Sequence, residues 1–292
     1  MNRTESQTIS RRQFLGRAAM GISTAGYLLE GVGQVAADPL GLPIGCQTYP
    51  VREALGKDFD GTLRELAAVG YRRIEMCSPP GYERSGYGSL VNMKASEMRE
   101  KIKAAGLGCE SCHYTPRELK ESLDDRIAYA KELGLKQMIL ATFSLPKDAT
   151  IADWARAAGE LNKIGEQTQK AGIQLGFHNH DNEFKEIDGA LIYDKLMSEF
   201  DPKLVKMQFQ VSVISLGFEA ATFMAKYPGR FCSLHLQDWS ATDKKQVAVG
   251  QGVVDWKKLF TAAKKGGVKN YFVEMNMEAM KASYPYLRDL KV

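Results

Sequence analysis

From residue 38 onward the chain alternates short apolar runs with longer amphipathic ones. The runs at 43–48, 73–77, 108–113, 137–141, 174–178, 205–211, 232–236 and 270–274 have the length and apolar content of buried strands. Between them the pattern changes to a helical period. Leu63, Leu66 and Ala67 share one face within 59–69, and Ile127, Ala128 and Ala130 recur among charges within 117–133. Gly106, Gly134 and Gly172 each stand between a helical pattern and the next apolar run, where a left-handed residue ends a helix. Strand followed by helix, eight times over, predicts an α/β chain folded as a single (β/α)8 barrel across 38–292. An open doubly wound sheet would call for a G-x-G-x-x-G loop after an early strand, and the sequence has none there.

The first 37 residues do not share this pattern. Ser10-Arg11-Arg12-Gln13-Phe14-Leu15 resembles a twin-arginine export signal, followed by an Ala- and Gly-rich apolar stretch from Ala18 to Leu29 and small residues Val35, Ala36 and Ala37 before Asp38. The expectation is a signal peptide and linker over 1–37, with the mature protein periplasmic or otherwise extracytoplasmic. The apolar stretch is too short for an ordinary membrane span, so no membrane attachment is expected after cleavage. Such leaders carry proteins that are already folded, which lets a metal enter before transport.

The formal charge is +4, and Arg3, Arg11, Arg12 and Arg17 of the leader supply part of it. The body is therefore near neutral, which argues against nucleic acid as a partner. Five cysteines in a chain of this length do not suggest a disulfide framework. Cys109-Glu110-Ser111-Cys112-His113 spells the C-x-x-C-H of covalent haem attachment. On a regular strand, though, Cys109 and Cys112 point to opposite sides, which disfavours both haem attachment and a disulfide between them.

All four histidines fall at strand ends. His113 closes the third run, His178 and His180 end or follow the fifth, and His235 lies near the end of the seventh. Glu75 and Glu274 stand near the ends of the second and eighth, with Asp181, Glu183 and Asp238 just beyond strands. In a barrel of this kind the C-terminal strand ends form the active-site rim. Imidazoles and a carboxylate converging there suit a divalent transition metal. A further carboxylate nearby suits removal of the proton next to a carbonyl. Trp239, Phe143 and Tyr49 are candidates for stacking on a sugar face.

These residues also carry a resemblance. Gly176-Phe177-His178-Asn179-His180-Asp181-Asn182-Glu183-Phe184, Leu234-His235-Leu236-Gln237-Asp238-Trp239, the loop from Val249 to Trp256 and Phe272-Val273-Glu274 occur in the order and spacing of the sugar phosphate isomerase/epimerase family, the xylose isomerase-like TIM barrels. The resemblance covers the chain from about Leu42 onward. It implies one divalent ion (Mn, Co, Zn or Mg) held by His178, Gln210, His235 and Glu274, one from each of the last four barrel strands. His178 stands where many relatives have glutamate, and Gln210 stands where the family has aspartate. A carboxamide oxygen is a neutral and poorer ligand. Losing the carboxylate at His178 also removes support for two-base epimerisation.

The expectation is therefore an isomerase-type enzyme moving a proton beside the carbonyl of a small, non-phosphorylated carbohydrate. Glu274 or Glu183 would be the base, with His180 or His113 assisting. Glu75, Asp238 and Trp239 are expected to contact substrate. A keto-glycoside lyase using the same one-base chemistry, and a non-catalytic sugar-binding barrel, are the alternatives. A DNA-repair nuclease on this fold would need a carboxylate-rich metal cluster and a basic groove. The final segment from Ala279 to Leu290 is the candidate for a subunit contact, and oligomeric state is left open.

Overall fold

The structure is a computed structural model and describes residues 38–292; the leader expected over 1–37 lies outside the described residues. Eight parallel strands close a barrel. They are β1 (Gly45–Gln47), β2 (Arg73–Cys77), β3 (Gly108–Tyr114), β4 (Gln137–Leu140), β5 (Gln174–His178), β6 (Val205–Gln210), β7 (Phe231–Leu236) and β8 (Asn270–Val273). Each expected run is a barrel strand, with ends moved by no more than two residues. Gly106, Gly134 and Gly172 have φ of 78°, 93° and 77°, the left-handed stops anticipated from the sequence. Among the described residues, no helix is long and apolar enough to cross a membrane.

Two local expectations fail. The helix read over 117–133 is two helices, Pro116–Glu121 and Leu123–Leu133, broken at Ser122, whose φ and ψ of −141° and 31° are not helical. On β3 the register slips between Ile74 and Glu75, so that Cys109 lies opposite Ile74 and Cys112 opposite Met76. Ile74 and Met76 share a face of β2. The irregularity therefore turns both thiols to the same outer side, while Ser111 and His113 turn inward to Glu75. The C-x-x-C-H residues still do not converge, but because His113 faces away from both thiols.

The barrel interior is layered. Near its base Asn270 Nδ2 donates to Gln137 Oε1 at 2.8 Å. Above this lies an apolar layer of Phe272 and Ile139. Their neighbours Gly45 and Gly176 leave the room: a Cβ on Gly45 would lie 2.5 Å from the Phe272 ring. Every layer above that is polar, and the site is built there. Two small hairpins sit on the rim loops, Glu186–Ile187 with Ala190–Leu191 and Asp238–Ser240 with Lys245–Val247.

Cys46, Cys77, Cys109, Cys112 and Cys232 are free thiols, and all are buried. Burial pushes Cys109 and Cys232 up to about 12, which leaves no reactive thiolate at neutral pH. The native protein is expected to react with a thiol reagent such as DTNB only at the rate of unfolding. A fast-reacting thiol in the folded state would contradict this packing.

Candidate active site at the strand ends

The floor of the site is organised around Glu75 on β2, which is fully buried. Its Oε1 accepts from Ser111 Oγ at 2.5 Å and Gln208 Nε2 at 2.8 Å. Its Oε2 accepts from Gln47 Nε2 at 2.7 Å and His235 Nε2 at 2.5 Å. His113 Nε2 lies 3.2 Å from the same Oε2 and donates to Gln208 Oε1 at 2.6 Å. Four strands besides β2 thus converge on one carboxylate (β1, β3, β6 and β7). The rings of His113 and His235 stack with centroids 5.1 Å apart and planes 7° from parallel. Gln208 was not anticipated. Its signal was available, because Gln208 and Gln210 alternate around Phe209 and so share the inward face of β6.

One layer higher stand His178, Gln210 and Glu274. Glu274 follows β8 directly. Its Oε2 accepts from Gln210 Nε2 at 2.5 Å and Gln237 Nε2 at 3.2 Å, and lies 3.1 Å from His235 Nδ1. Gln237 is itself held by Gln246 Nε2, which donates to its Oε1 at 2.5 Å. Among the described residues nothing donates to Glu274 Oε1, and Glu274 lines an open cavity of about 370 Å³. Tyr49, Arg52, His180, Gln210, Ser212 and Gln246 share that cavity. Its walls are rich in amide and hydroxyl groups, which suits a polyhydroxylated ligand.

The expected residues divide between this cavity and its supports. Glu274, His180 and Gln210 line it. His178 and His235 lie directly beneath, 1% and 0% exposed. Glu75 and His113, read as substrate-facing and assisting groups, lie in the floor layer and do not reach the cavity. Asp238, read as a substrate contact, is taken up by its own loop. Its carboxylate accepts from the backbone N–H groups of Trp239, Gly250, Gly252 and Val254 and from Trp256 Nε1. A Cβ on Gly252 would overlap that carboxylate, so the glycine of the 249–256 loop is needed there. Trp239 sits on the hairpin beside Asp238 and does not line the cavity. Phe143 stacks on Phe177 at 4.5 Å within the flank of the barrel, whereas Tyr49 does face the cavity. Glu183 Oε2 accepts from the His180 backbone N–H at 2.6 Å and borders a separate cavity with Trp154 and Lys185.

Charge follows this geometry. Burial opposes a proton on His235, but Glu274 and Glu75 on either side outweigh it and raise its pKa to about 9. Burial likewise works against charge on Glu75 and Glu274, yet the neighbouring histidines hold both below the usual carboxylate range. His178, buried beside the other three histidines, is held neutral, well below its ordinary value. Burial also lowers His180, and it pushes Glu183 up to about 7.

These shifts make the stability of the metal-free protein depend on pH. His235 contributes fully below its unfolded value of 6.5, and the contribution is lost as pH rises through about 9. His178 acts in the opposite sense: the unfolded chain gains a proton below 6.5 that the folded chain refuses, so stability falls with acidity. The depressed Glu75 and Glu274 add to that acid loss below the unfolded carboxylate value of 4.5. The raised Glu183 works against the acid losses, its own contribution fading between 4.5 and about 7, so the melting temperature is expected to decline from about pH 7 toward pH 9. A flat or rising profile from about pH 7 to 9 would contradict the placement of His235 between two carboxylates.

The donor set fits a divalent ion. The Nδ1 atoms of His178 and His235 are both buried without a hydrogen bond in line. Glu75, holding the Nε2 proton of His235, fixes the tautomer that leaves Nδ1 as a lone pair once that ring is neutral. Glu274 Oε2 and the Gln210 oxygen would complete a set of four once the Gln210 carboxamide turned, since its Nε2 now donates to Glu274 Oε2. Ring nitrogens of His113, His178 and His235 also lie within 4.8 Å of one another. His113, however, is already engaged by Gln208.

Known proteins are similar to this one along most of the chain. An inosose dehydratase from Lacticaseibacillus casei is 23% identical over 271 residues, covering 82% of this chain and 90% of that protein. An inosose dehydratase from Geobacillus thermodenitrificans is likewise 23% identical, covering 79% and 86%. The crystal structure of a sugar phosphate isomerase/epimerase from Parabacteroides distasonis superposes with a TM-score of 0.71 at 26% identity, covering 84% of this chain and 93% of that one. The sequence profile of the xylose isomerase-like TIM barrels matches residues 63–290, and with the closed eight-stranded barrel this makes the chain a member of that family.

Proposed function

We propose that the protein is a one-base proton-transfer enzyme of the sugar isomerase class, acting beside the carbonyl of a small, non-phosphorylated carbohydrate. The observation that carries this reading is the asymmetry of Glu274, which lines the cavity: three groups fix Oε2, while among the described residues no donor reaches Oε1. A carboxylate held in this way is a positioned general base. Oε1 would take the proton from the carbon next to the carbonyl. His180, on the same cavity wall and kept neutral by burial, would exchange a proton with the neighbouring oxygen. Glu183 would act through His180 by holding its backbone N–H. A divalent ion (Mn, Co, Zn or Mg) held by His178, Gln210, His235 and Glu274 would polarise the carbonyl and its neighbouring hydroxyl.

Returning the proton from Glu274 to the adjacent carbon gives isomerisation. Loss of a β-substituent, with the proton taken up by Glu274 passed through His180 to the leaving group, gives elimination. Elimination is the alternative reading, supported by the likeness to inosose dehydratases and by the presence of one base rather than two. Export through the twin-arginine-like leader would place the reaction outside the cytoplasm. Substituting Arg11 and Arg12 by lysine should retain the protein in the cytoplasm.

The test is incubation of the purified protein, with each of the four metals in turn, with free ketoses, keto-glycosides and sugar phosphates, products being read by NMR. Turnover confined to the non-phosphorylated compounds supports the proposal. Preferential turnover of sugar phosphates would refute the substrate class, and binding without turnover would favour the non-catalytic barrel.

A further inference from the structure

Arg52 is a charged group in the cavity wall that the proton-transfer reading leaves unused. It begins the short helix Arg52–Lys57, just after β1. Its Nη1 donates to the Tyr49 carbonyl at 2.9 Å, and its guanidinium lies over the Tyr49 ring, 4.3 Å from the centroid. On the other side its stem packs against the backbone of Gly86, which has φ of 92°; a Cβ there would come within 3.1 Å of Arg52 Cγ. The side chain is therefore seated on two sides. Among the described residues it has no carboxylate partner, although surface arginines of this chain such as Arg117 and Arg156 do. It lines the same cavity as Glu274, among neutral amides and hydroxyls.

We propose that Arg52 is the anchor for an anionic group of the substrate, and that the cavity takes a sugar acid whose carboxylate pairs with this guanidinium. This rests on the carbohydrate reading above and narrows its substrate class. A guanidinium matches the two oxygens of a carboxylate with parallel donors. With Nη1 already used by Tyr49, one edge remains for the ligand. Among the described residues Arg52 is the sole lysine or arginine lining the cavity, so a phosphate dianion would enter with half its charge unmatched, near Glu274.

The test is titration calorimetry on the full chain with glucuronate and galacturonate, their neutral counterparts glucose and galactose, and glucose 6-phosphate. The wild type is expected to bind the uronates at least tenfold more tightly than the neutral sugars. Arg52→Gln should bring that ratio close to one, and Arg52→Lys, a point charge without the fork, should keep part of it. Equal affinity of the wild type for acid and neutral sugars, or a preference that survives Arg52→Gln in a protein with wild-type circular dichroism, would overturn the assignment. Tighter binding of glucose 6-phosphate than of the uronates would overturn the carboxylate. Failure of every sugar to bind would remove the carbohydrate reading along with this one, whereas neutral-sugar binding without acid preference removes only this one.

Discussion

Glu274→Gln is expected to lower kcat about a thousandfold, within the range usual for loss of a positioned general base. The substitution keeps the shape of the side chain, and its oxygen can still accept from Gln210 and Gln237. Binding of a sugar should therefore change far less than kcat. The variant also loses the negative charge 3.1 Å from His235 Nδ1 and a charged member of the metal set, so its affinity for a divalent ion should fall as well. Steady-state kinetics at saturating metal separate the two effects. A kcat within tenfold of wild type under those conditions would remove Glu274 from the role of base.

Glu75→Leu should have the largest effect on stability. The carboxylate accepts hydrogen bonds from Gln47, Ser111, Gln208 and His235 in a layer closed to water. Leucine leaves these donors without an acceptor and His235 without one of its two counter-charges. Breaking a buried charge pair from one side typically costs about 3–5 kcal/mol. For a domain of this size that corresponds to a fall in melting temperature of roughly 10 °C. Glu75→Gln, which retains an acceptor but not the charge, should lie between the two. A Glu75→Leu variant melting within about 2 °C of wild type would show that the floor layer is not held by this carboxylate.

The strands, their order and the gathering of histidines at one rim were legible because period-two and helical patterns alternate cleanly, and because the chain has so few histidines. The depth of each group was not. Glu75 and Glu274 look alike in sequence, each a carboxylate near a strand end. Glu75 lies within β2 and points down into the barrel, whereas Glu274 stands one residue past β8 and meets the cavity. That difference depends on how the strands stagger around the barrel, which no local pattern records. Asp238 resembled a substrate contact because its partners are mainly backbone N–H groups of residues 239–254, and these carry no side-chain signature. The outward turn of Cys109 follows from one register slip on β3. From the sequence Arg52 is one of three arginines, with Arg72 and Arg84, that could meet a phosphate, and nothing local singles it out as the one lining the cavity.

The central claim, one base acting on a carbon beside a carbonyl, is tested most directly by NMR of a bound keto-sugar in deuterated water. The wild type should exchange a single carbon-bound hydrogen for deuterium, including in substrate recovered unconverted, and Glu274→Gln should leave that hydrogen in place. Turnover of the sugar with no deuterium entering substrate or product, or exchange that persists in Glu274→Gln, would contradict it.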